Sequence, residues 1–300
     1  MTWASSLISS ANKARGCALL LAAGGLAACD STFFGEADPD FSNPFTEGEV
    51  QPLEADALSQ VRAIAASQRH PGLLYALEDQ TQLPRLEAFD EDGGSQGALR
   101  INNALRTQWR DLALRNDGLL LLDTGLRPAR ILRLAEPEAP PPYDAELAVN
   151  GELRFSLDEG AVGDCTGLGA VRDPDAPLWL LCGQRFYRLA GDFDAAGTVV
   201  ATSADRLQLR LEIGEIRDFS ISPGGDFGLL TGSQRALVVQ EGNLSQAQWG
   251  RRFSERPDVI AWEDSGFAAP QSGHFAFNGV VVYLAAPAQP QGQLFTIFTP

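Results

Sequence analysis

The amino-acid sequence predicts an all-β fold, and three observations support this class. Apolar runs of about four to six residues recur along the chain, separated by Gly, Pro, Asn and Asp, which is the pattern of short strands joined by turns. No window of about a dozen residues keeps helical spacing with caps at both ends. A unit made of an apolar strand, a polar turn and a more apolar strand recurs roughly every 40 to 57 residues.

The repeated unit indicates how the strands are organised. Five units begin at Val61, Trp109, Cys165, Ile216 and Pro257. Repeats of about 40–50 residues with four strands each are typical of β-propeller blades, which bury their faces by stacking in a ring. We predict a propeller of five or six blades, with the segment Tyr143–Leu157 as a candidate for part of the sixth. The C-terminal run Gln293–Pro300 is expected to complete the first blade. A β-sandwich is the alternative.

Composition excludes several classes of function. The formal charge of −16 argues against nucleic acid and against electrostatic attachment to anionic lipid, since both need a basic face. The single lysine, Lys13, lies in a predicted signal segment, so the remaining chain lacks the amine for a P-loop or a Schiff base. The two histidines, His70 and His274, have no partner His or Cys at zinc-ligand spacing.

The N-terminus has the pattern of a secretory signal. Lys13 and Arg15 precede the apolar run Cys17–Asp30, which is too short to span a bilayer. The end of this run, Leu26-Ala27-Ala28-Cys29, resembles the lipobox of bacterial lipoproteins. This resemblance implies cleavage before Cys29, acylation of its thiol and amine, and stable anchoring by two or three acyl chains. An ordinary signal peptide with a chance cysteine is the alternative.

The predicted domains follow from this cleavage site. Residues 1–28 form the lipoprotein signal, residues 29–57 an acidic, Pro-containing flexible tether, and residues 58–300 the propeller. Losing residues 1–28, which hold two basic and no acidic residues, changes the charge from −16 to −18. The acyl chains would therefore hold the protein at the membrane, in the cell envelope and facing the periplasm. Asp30 resembles a signal for retention at the inner membrane; the outer membrane is the alternative.

Two cysteines remain in the predicted domain. Cys165 and Cys182 form an even pair, and an oxidising compartment favours a disulfide between them. Two reduced thiols buried in the core are the alternative.

Five segments resemble a group of secreted bacterial β-propeller proteins. The group carries, in order, the motifs SxxxPGxLW…NDS, WEDIA, DxGDN…R…IYRxxEP, DAEAL and SPDG. The chain has ASQRHPGLLYALEDQT, WRDLAL, LLDTGLRPARILRLAEP, YDAEL and SISPGGD in the same order. The resemblance implies a cluster of acids at one mouth of the central channel, around a hard cation such as Ca²⁺, which prefers several oxygen ligands. The matching acids are Asp79, Asp111, Asp123, Asp144 and Glu146.

The chain departs from these motifs at positions that matter for a cation. Glu78 stands in place of the Asn of NDS, and Arg110 in place of the Glu of WEDIA. Leu126 and Arg127 replace the second Asp and the Asn of DxGDN. Two guanidinium groups would repel a cation or pair with the carboxylates. We therefore expect no cofactor, with Ca²⁺ as the alternative.

The remaining candidate residues are interpreted as structural. Four tryptophans lie in or beside strands and are expected in the blade cores: Trp109, Trp179, Trp249 and Trp262. An Asp after a strand is mostly a turn residue, because its side chain bonds the local backbone. The sequence thus favours a non-catalytic binding or scaffold module with an envelope protein as partner. The alternative is a hydrolase or lyase that uses the acids Asp79, Asp111, Asp123 and Glu146.

Overall fold

A computed structural model describes residues 48–298 with gaps, as 48–54, 60–78, 84–102, 104–105, 107–139, 141–193, 195–241, 243–255, 257–260, 262, 267–276, 281–288 and 291–298. Cys29 and Asp79 lie outside the described residues. Within the described part of the chain, no helix is both long and apolar enough to cross a membrane.

The described residues form five antiparallel blades of four strands each. A first strand, β1, covers Gly48–Pro52. Blade 1 consists of β2 (Val61–Ala66), β3 (Leu73–Glu78), β4 (Arg85–Asp90) and β5 (Ser95–Asn102). Blade 2 consists of β6 (Trp109–Arg115), β7 (Gly118–Asp123), β8 (Ala129–Leu134) and β9 (Tyr143–Leu157). Blade 3 consists of β10 (Cys165–Gly169), β11 (Leu178–Cys182), β12 (Arg185–Leu189) and β13 (Thr198–Arg206).

Blades 4 and 5 complete the ring. Blade 4 consists of β14 (Ile216–Ile221), β15 (Phe227–Gly232), β16 (Ala236–Gln240), the helix α1 (Trp249–Glu255) and β17 (Asp258–Ile260). Blade 5 consists of β18 (Ser272–Phe275), β19 (Val281–Ala286), β20 (Gln293–Phe298) and the N-terminal strand β1. The innermost strands β2, β6, β10, β14 and β18 are neighbours in this order, and β18 returns to β2. The predicted β-propeller is therefore confirmed, with five blades among the described residues.

The strand β1 closes the ring. It pairs antiparallel with β20, from Gly48 opposite Ile297 to Pro52 opposite Gln293. Leu53, which follows it, is fully buried, and the amide of Glu54 bonds the carbonyl of Gly93 in blade 1 at 2.9 Å. These residues lie inside the segment predicted as a tether, so the folded domain begins earlier in the chain than the sequence indicated. The C-terminal run joins the last blade, not the first as expected.

The fifth repeat unit, predicted to begin at Pro257, begins later in the chain. The strand β17 is the outer strand of blade 4, because α1 lengthens that blade, and blade 5 begins at Ser272. The segment expected to contribute to a sixth blade is β9. Its first half pairs in parallel with β5, its second half antiparallel with β8, and its end in parallel with β13. Blades 1, 2 and 3 thus share one sheet of 12 strands.

The hydrophobic core lies between the blades. Five clusters of buried side chains fill the five blade interfaces, one cluster for each. The cluster between blades 5 and 1 contains Leu53, Val61 and Ile64 beside Tyr283 and Leu294. The four tryptophans predicted as core residues are at most 6% exposed, which confirms their structural role: Trp109, Trp179, Trp249 and Trp262.

Candidate functional site at the propeller axis

A β-bulge recurs at the second residue of the innermost strand in blades 1 to 4. In blade 2, Trp109 pairs with Asp123 and Asp111 pairs with Leu122, so Arg110 is the extra residue. The bulged residues of the four blades are Arg62, Arg110, Thr166 and Arg217. A bulge bends its strand and redirects the side chains beside it. The third residue of each strand is therefore placed toward the neighbouring blade.

Asp111 uses this third position to join blades 2 and 3. Its side chain is buried, with 1% of its surface exposed. The Oδ1 atom accepts a hydrogen bond from the amide of Leu112 at 2.7 Å, in its own strand. The Oδ2 atom accepts one from the amide of Leu168, in the innermost strand of blade 3. One carboxyl group thus satisfies two buried backbone donors.

Asp218 repeats the arrangement between blades 4 and 5. Its Oδ1 atom accepts from the amide of Phe219 at 2.7 Å, and its Oδ2 atom from the amide of Gly273 at 3.0 Å. The hydroxyl of Ser272 also donates to Oδ2, at 2.6 Å. That hydroxyl in turn accepts from the amide of Ile64 in blade 1, at 3.0 Å.

We name Asp111, Asp218 and Ser272 the axial belt. Its three side chains accept the fourth-position amides of β2, β6, β10 and β14 and the second-position amide of β18: Ile64, Leu112, Leu168, Phe219 and Gly273. Buried backbone donors without a partner would cost about 1–3 kcal/mol each. The belt therefore contributes to the stability of the ring at the one place where the five blades meet.

The two acids of the axial belt lie close enough to each other for their charges to interact. Burial raises the pKa of Asp111 well above its usual range, and the charge of Asp218 adds to this effect. Burial lowers the pKa of the neighbouring His274, whose Nδ1 atom lies 2.8 Å from the carbonyl oxygen of Phe275.

The other acids matched by the motif resemblance lie elsewhere. Asp123 is fully buried, accepts from the amides of Gln108 and Gly125, and pairs with Arg130 at 2.9 Å. It therefore fixes the end of β7. Asp144 is exposed on β9 and lies 3.7 Å from Arg100.

Glu146, also exposed on β9, accepts from Asn102 at 2.6 Å. Asp111, Asp123, Asp144 and Glu146 thus do not gather at one place. Among the described residues, no group of three or more His, Cys, Asp or Glu could hold a metal ion.

A second polar centre lies between blades 1 and 2. The buried Glu136 accepts from the hydroxyl of Ser67, and from that of Tyr75 at 3.3 Å. The ring of Tyr75 lies 6.5 Å from that of Tyr143, and burial together with the charge of Glu136 raises the pKa of Tyr75. The Nε2 atom of His70 lies 3.1 Å from the carbonyl oxygen of Pro137. Three of the motif segments therefore meet here and join the two blades.

A cavity of about 520 Å³ opens beside Glu136. We call it the blade 1–2 cavity; its polar lining includes Arg69, Asn116, Asp117, Glu138, Glu146 and Asn150. Arg69 lies 3.6 Å from Glu138. Asp117 accepts from Arg115 and Arg133, and these bonds lower its pKa although burial opposes the change. The charged part of the lining is thus largely ion-paired.

Sequence reasoning missed Asp218, Ser272 and Glu136 as site residues. A signal for Asp218 was present, since the segment from Ile216 to Phe219 repeats the pattern from Trp109 to Leu112, with Arg followed by Asp in both. The cysteines were found. Cys165 and Cys182 form a disulfide between β10 and β11, so the disulfide prediction is confirmed and the alternative of reduced thiols is wrong.

The fold and the axial belt define the chain as a β-propeller closed by its own N-terminal strand. No family model and no curated protein sequence matches it. Among solved structures, it is similar to a luciferin-regenerating enzyme, with 9% identity over 84% of this chain and 95% of the other and a TM-score of 0.45. It is also similar to the PQQ-bound aldose sugar dehydrogenase of Streptomyces coelicolor, with 11% identity over 84% and 98% and a TM-score of 0.44. Similarities this distant assign no activity to the chain.

Proposed function

We propose that this protein is a binding module of the cell envelope, held at the membrane by acyl chains on Cys29. The observation that carries the proposal is the axial belt. Asp111 and Asp218 lie on innermost strands, and their oxygens accept backbone amides from two blades each. Carboxylates occupied in this way serve the architecture, so the ring acts as a rigid frame that presents its surface loops.

The anchor in this proposal is supported by the sequence alone. The lipobox-like segment ends at Cys29, and the chain after it carries a formal charge of −18. An acidic body is repelled by anionic headgroups, so a covalent anchor would be needed to keep it at the membrane.

The blade 1–2 cavity supports a partner protein on one side of the ring. Its lining includes charged and amide side chains, among them the exposed Glu138 and Asn150. Polar and charged rims are typical of transient interfaces, in which matching charges select the partner.

Site-specific crosslinking in cells tests this proposal. A photoreactive residue would replace Glu138 or Asn150 in the full-length chain, with Val200, 54% exposed on the outer strand of blade 3, as the control position. We expect one discrete protein adduct from both cavity positions and none from Val200. The absence of an adduct from both cavity positions would contradict the proposal.

A hydrolase or lyase is the second candidate, and one observation favours it. Burial and the nearby charge of Asp218 raise the pKa of Asp111, and a carboxyl group with a raised pKa is a feature of acid–base catalysts. Turnover of chromogenic esters or glycosides by the wild-type chain, lost in Asp218→Asn while the fold persists, would support this candidate. Equal background rates for both chains would exclude it.

A further inference from the structure

The buried carboxyl group of Glu136 lies in the wall of the blade 1–2 cavity and has one oxygen without a hydrogen bond. Its side chain is 4% exposed, and its Oε1 atom accepts from the hydroxyls of Ser67 and Tyr75. Among the described residues, the Oε2 atom has only the Nε atom of Arg69 as a partner, at 4.0 Å, which is too long for a hydrogen bond. A buried carboxylate oxygen is costly without a donor, so a donor inside the cavity would stabilise it.

The side chain of Arg69 bridges two carboxyl groups loosely. Its Nε atom lies 4.0 Å from Glu136, and its Nη1 atom lies 3.6 Å from Glu138. Charge-assisted N–H···O bonds are about 2.7–2.9 Å long, so neither contact has the length of a strong bond. Arg69 is also 46% exposed and Glu138 is 90% exposed. The two carboxyl groups thus converge on one guanidinium group that another cation could displace.

The cavity has room for such a cation. Its volume of about 520 Å³ lies within the range of about 300–1,000 Å³ that is typical of ligand sites. The exposed side chain of Asn116 lines it as well, and its amide oxygen can accept from N–H groups. Acceptors for several N–H donors therefore surround one open space.

The charge of the lining favours a cation over an anion. Four carboxyl groups line the cavity: Asp117, Glu136, Glu138 and Glu146. Asp117 is paired with Arg115 and Arg133, so these two arginines and Arg69 give three guanidinium groups against four carboxyl groups. Glu146 has a neutral partner, the amide of Asn102 at 2.6 Å. The arginines other than Arg69 are thus held at Asp117, away from the pair Glu136 and Glu138.

We propose that the blade 1–2 cavity binds an arginine side chain of the partner protein, which displaces Arg69 from Glu136 and Glu138. This inference rests on the proposed binding function and names the group that the cavity recognises. A guanidinium group donates several N–H groups in fixed directions, so one group can serve both carboxylates at once. The ammonium group of lysine is more strongly hydrated and therefore costs more to bring beside a buried carboxylate.

Photocrosslinking to the purified full-length protein in detergent tests the inference with a defined probe. The probe is a short peptide with blocked ends that carries one arginine beside a photoreactive leucine. A second peptide has citrulline in place of arginine, which keeps the shape and removes the charge. We expect a saturable adduct of the arginine peptide that mass spectrometry maps to the cavity lining. The citrulline peptide should need a concentration roughly tenfold higher or more for the same yield.

Two substitutions should weaken the adduct, and a third should strengthen it. Glu136→Gln removes the buried charge and should raise the half-maximal peptide concentration roughly tenfold. Glu138→Gln changes an exposed residue, so the fold persists, and should raise this concentration roughly twofold to fivefold. Arg69→Gln removes the competing guanidinium group and should lower it roughly twofold to fivefold. A merely structural role of Arg69 would not produce tighter binding.

The matched controls lie outside the cavity lining. Glu212→Gln and Arg100→Gln make the same changes of charge at exposed residues. We expect both to bind the arginine peptide within about twofold of wild type, because salt screens distant surface charges. Shifts in the controls as large as those in the cavity variants would show a general charge effect and contradict the site.

Other outcomes would also overturn the inference. They are the absence of an adduct in the lining, equal yields from the arginine and citrulline peptides, and binding by Arg69→Gln that is unchanged or weaker. Spermidine serves as a competitor. If it protects the cavity at lower concentration than unlabelled arginine peptide does, the occupant is a small polyamine and not a protein side chain.

Failure of this inference can be told apart from failure of the proposed function. Crosslinking in cells from Asn150 that yields the partner adduct, without binding of the arginine peptide, leaves the binding module standing and removes only the arginine site. Binding of the arginine peptide without any adduct in cells would contradict the partner protein and keep the chemistry of the cavity.

Discussion

Asp111 and Asp218 interact electrostatically across the propeller axis, although they belong to blades 2 and 4, which are not neighbours in the ring. Each also accepts an amide from the following blade, and Ser272 continues the chain of contacts to blade 1. At the equivalent position of blade 3 stands Gly167, where an added Cβ would lie 2.6 Å from the amide nitrogen of Phe219. Packing at that interface is therefore close without a polar side chain.

Replacing Asp111 by alanine tests the structural role of the axial belt. The variant leaves the amides of Leu112 and Leu168 buried without their acceptor, which should lower the free energy of unfolding by about 2–5 kcal/mol. Asp111→Asn keeps one acceptor oxygen and should cost less. Urea denaturation measures both. The exposed Asp144→Ala is the control, expected within about 0.5 kcal/mol of wild type, and equal losses in both alanine variants would contradict the role.

The raised pKa of Asp111 predicts a pH dependence of stability. The folded-state pKa of Asp111 is raised above its unfolded value of 3.8. The stability that Asp111 contributes is therefore fully present below its unfolded pKa of 3.8 and is lost as pH rises toward and through its folded-state pKa. Melting temperatures of wild type and Asp111→Asn should be measured between about pH 4 and about pH 8. Wild type should lose stability relative to the variant as pH rises, whereas parallel curves would show that Asp111 holds no proton.

The disulfide between Cys165 and Cys182 should stabilise blade 3 mainly by restricting the unfolded chain. The two residues are 17 positions apart, and a loop of this size corresponds to about 3 kcal/mol. We expect Cys165→Ala with Cys182→Ala to lower the free energy of unfolding by that amount in a urea titration. Reducing agent should destabilise wild type to a similar extent and leave the double variant unchanged. A shift of the double variant with reducing agent would point to another cause.

The closing strand β1 can be tested at the residue that follows it. Leu53 is fully buried between blades 5 and 1, and its amide donates to the carbonyl of Gly292 at 2.8 Å. Leu53→Ala should cost about 2–5 kcal/mol, because it leaves a cavity at the closure of the ring. The exposed Glu49→Ala in the same strand should have little effect. Similar melting of both variants would mean that β1 is not needed for closure.

The acyl anchor predicts a change in labelling. Cells that express the full-length chain and take up a labelled fatty acid should incorporate label into wild type and not into Cys29→Ala. The variant should also leave the membrane fraction, since the acidic chain has no electrostatic attachment. Continued labelling of Cys29→Ala would refute the lipobox interpretation. Cys17→Ala is the matched control and should be labelled like wild type.

Local features of the fold could be read from the sequence, and long-range ones could not. The pattern around Trp109, with Asn116-Asp117-Gly118 as a turn, predicts the hairpin of β6 and β7 because strand alternation and turn residues are local signals. The strand β1 pairs with β20 near the other end of the chain, and no local periodicity encodes that partner. Pro257 was placed in the wrong blade because the short helix α1 interrupts the repeat.

The same distinction between local and long-range features applies to the candidate site. Asp111 was singled out through its motif, while its partner Asp218 was passed over although it lies in a matching segment. Their contact depends on ring closure, which brings third positions of separate blades to one axis. Asp123 and Asp144 share a motif order with Asp111, yet they lie at a strand end and on an outer strand.

The strand β9 has a mechanical consequence for the ring. Because β9 is hydrogen bonded to β5, β8 and β13, blades 1 to 3 form one continuous sheet. The segment that follows β1 connects blade 5 to this sheet through the hydrogen bond between Glu54 and Gly93. Among the described strands, blade 4 forms a sheet of its own that pairs with neither blade 3 nor blade 5. Opening of the ring is therefore expected at the two seams beside blade 4, where no strand pairing among the described residues joins the neighbouring sheets. Any widening of the axial channel begins next to Asp218, and so at one half of the acid pair.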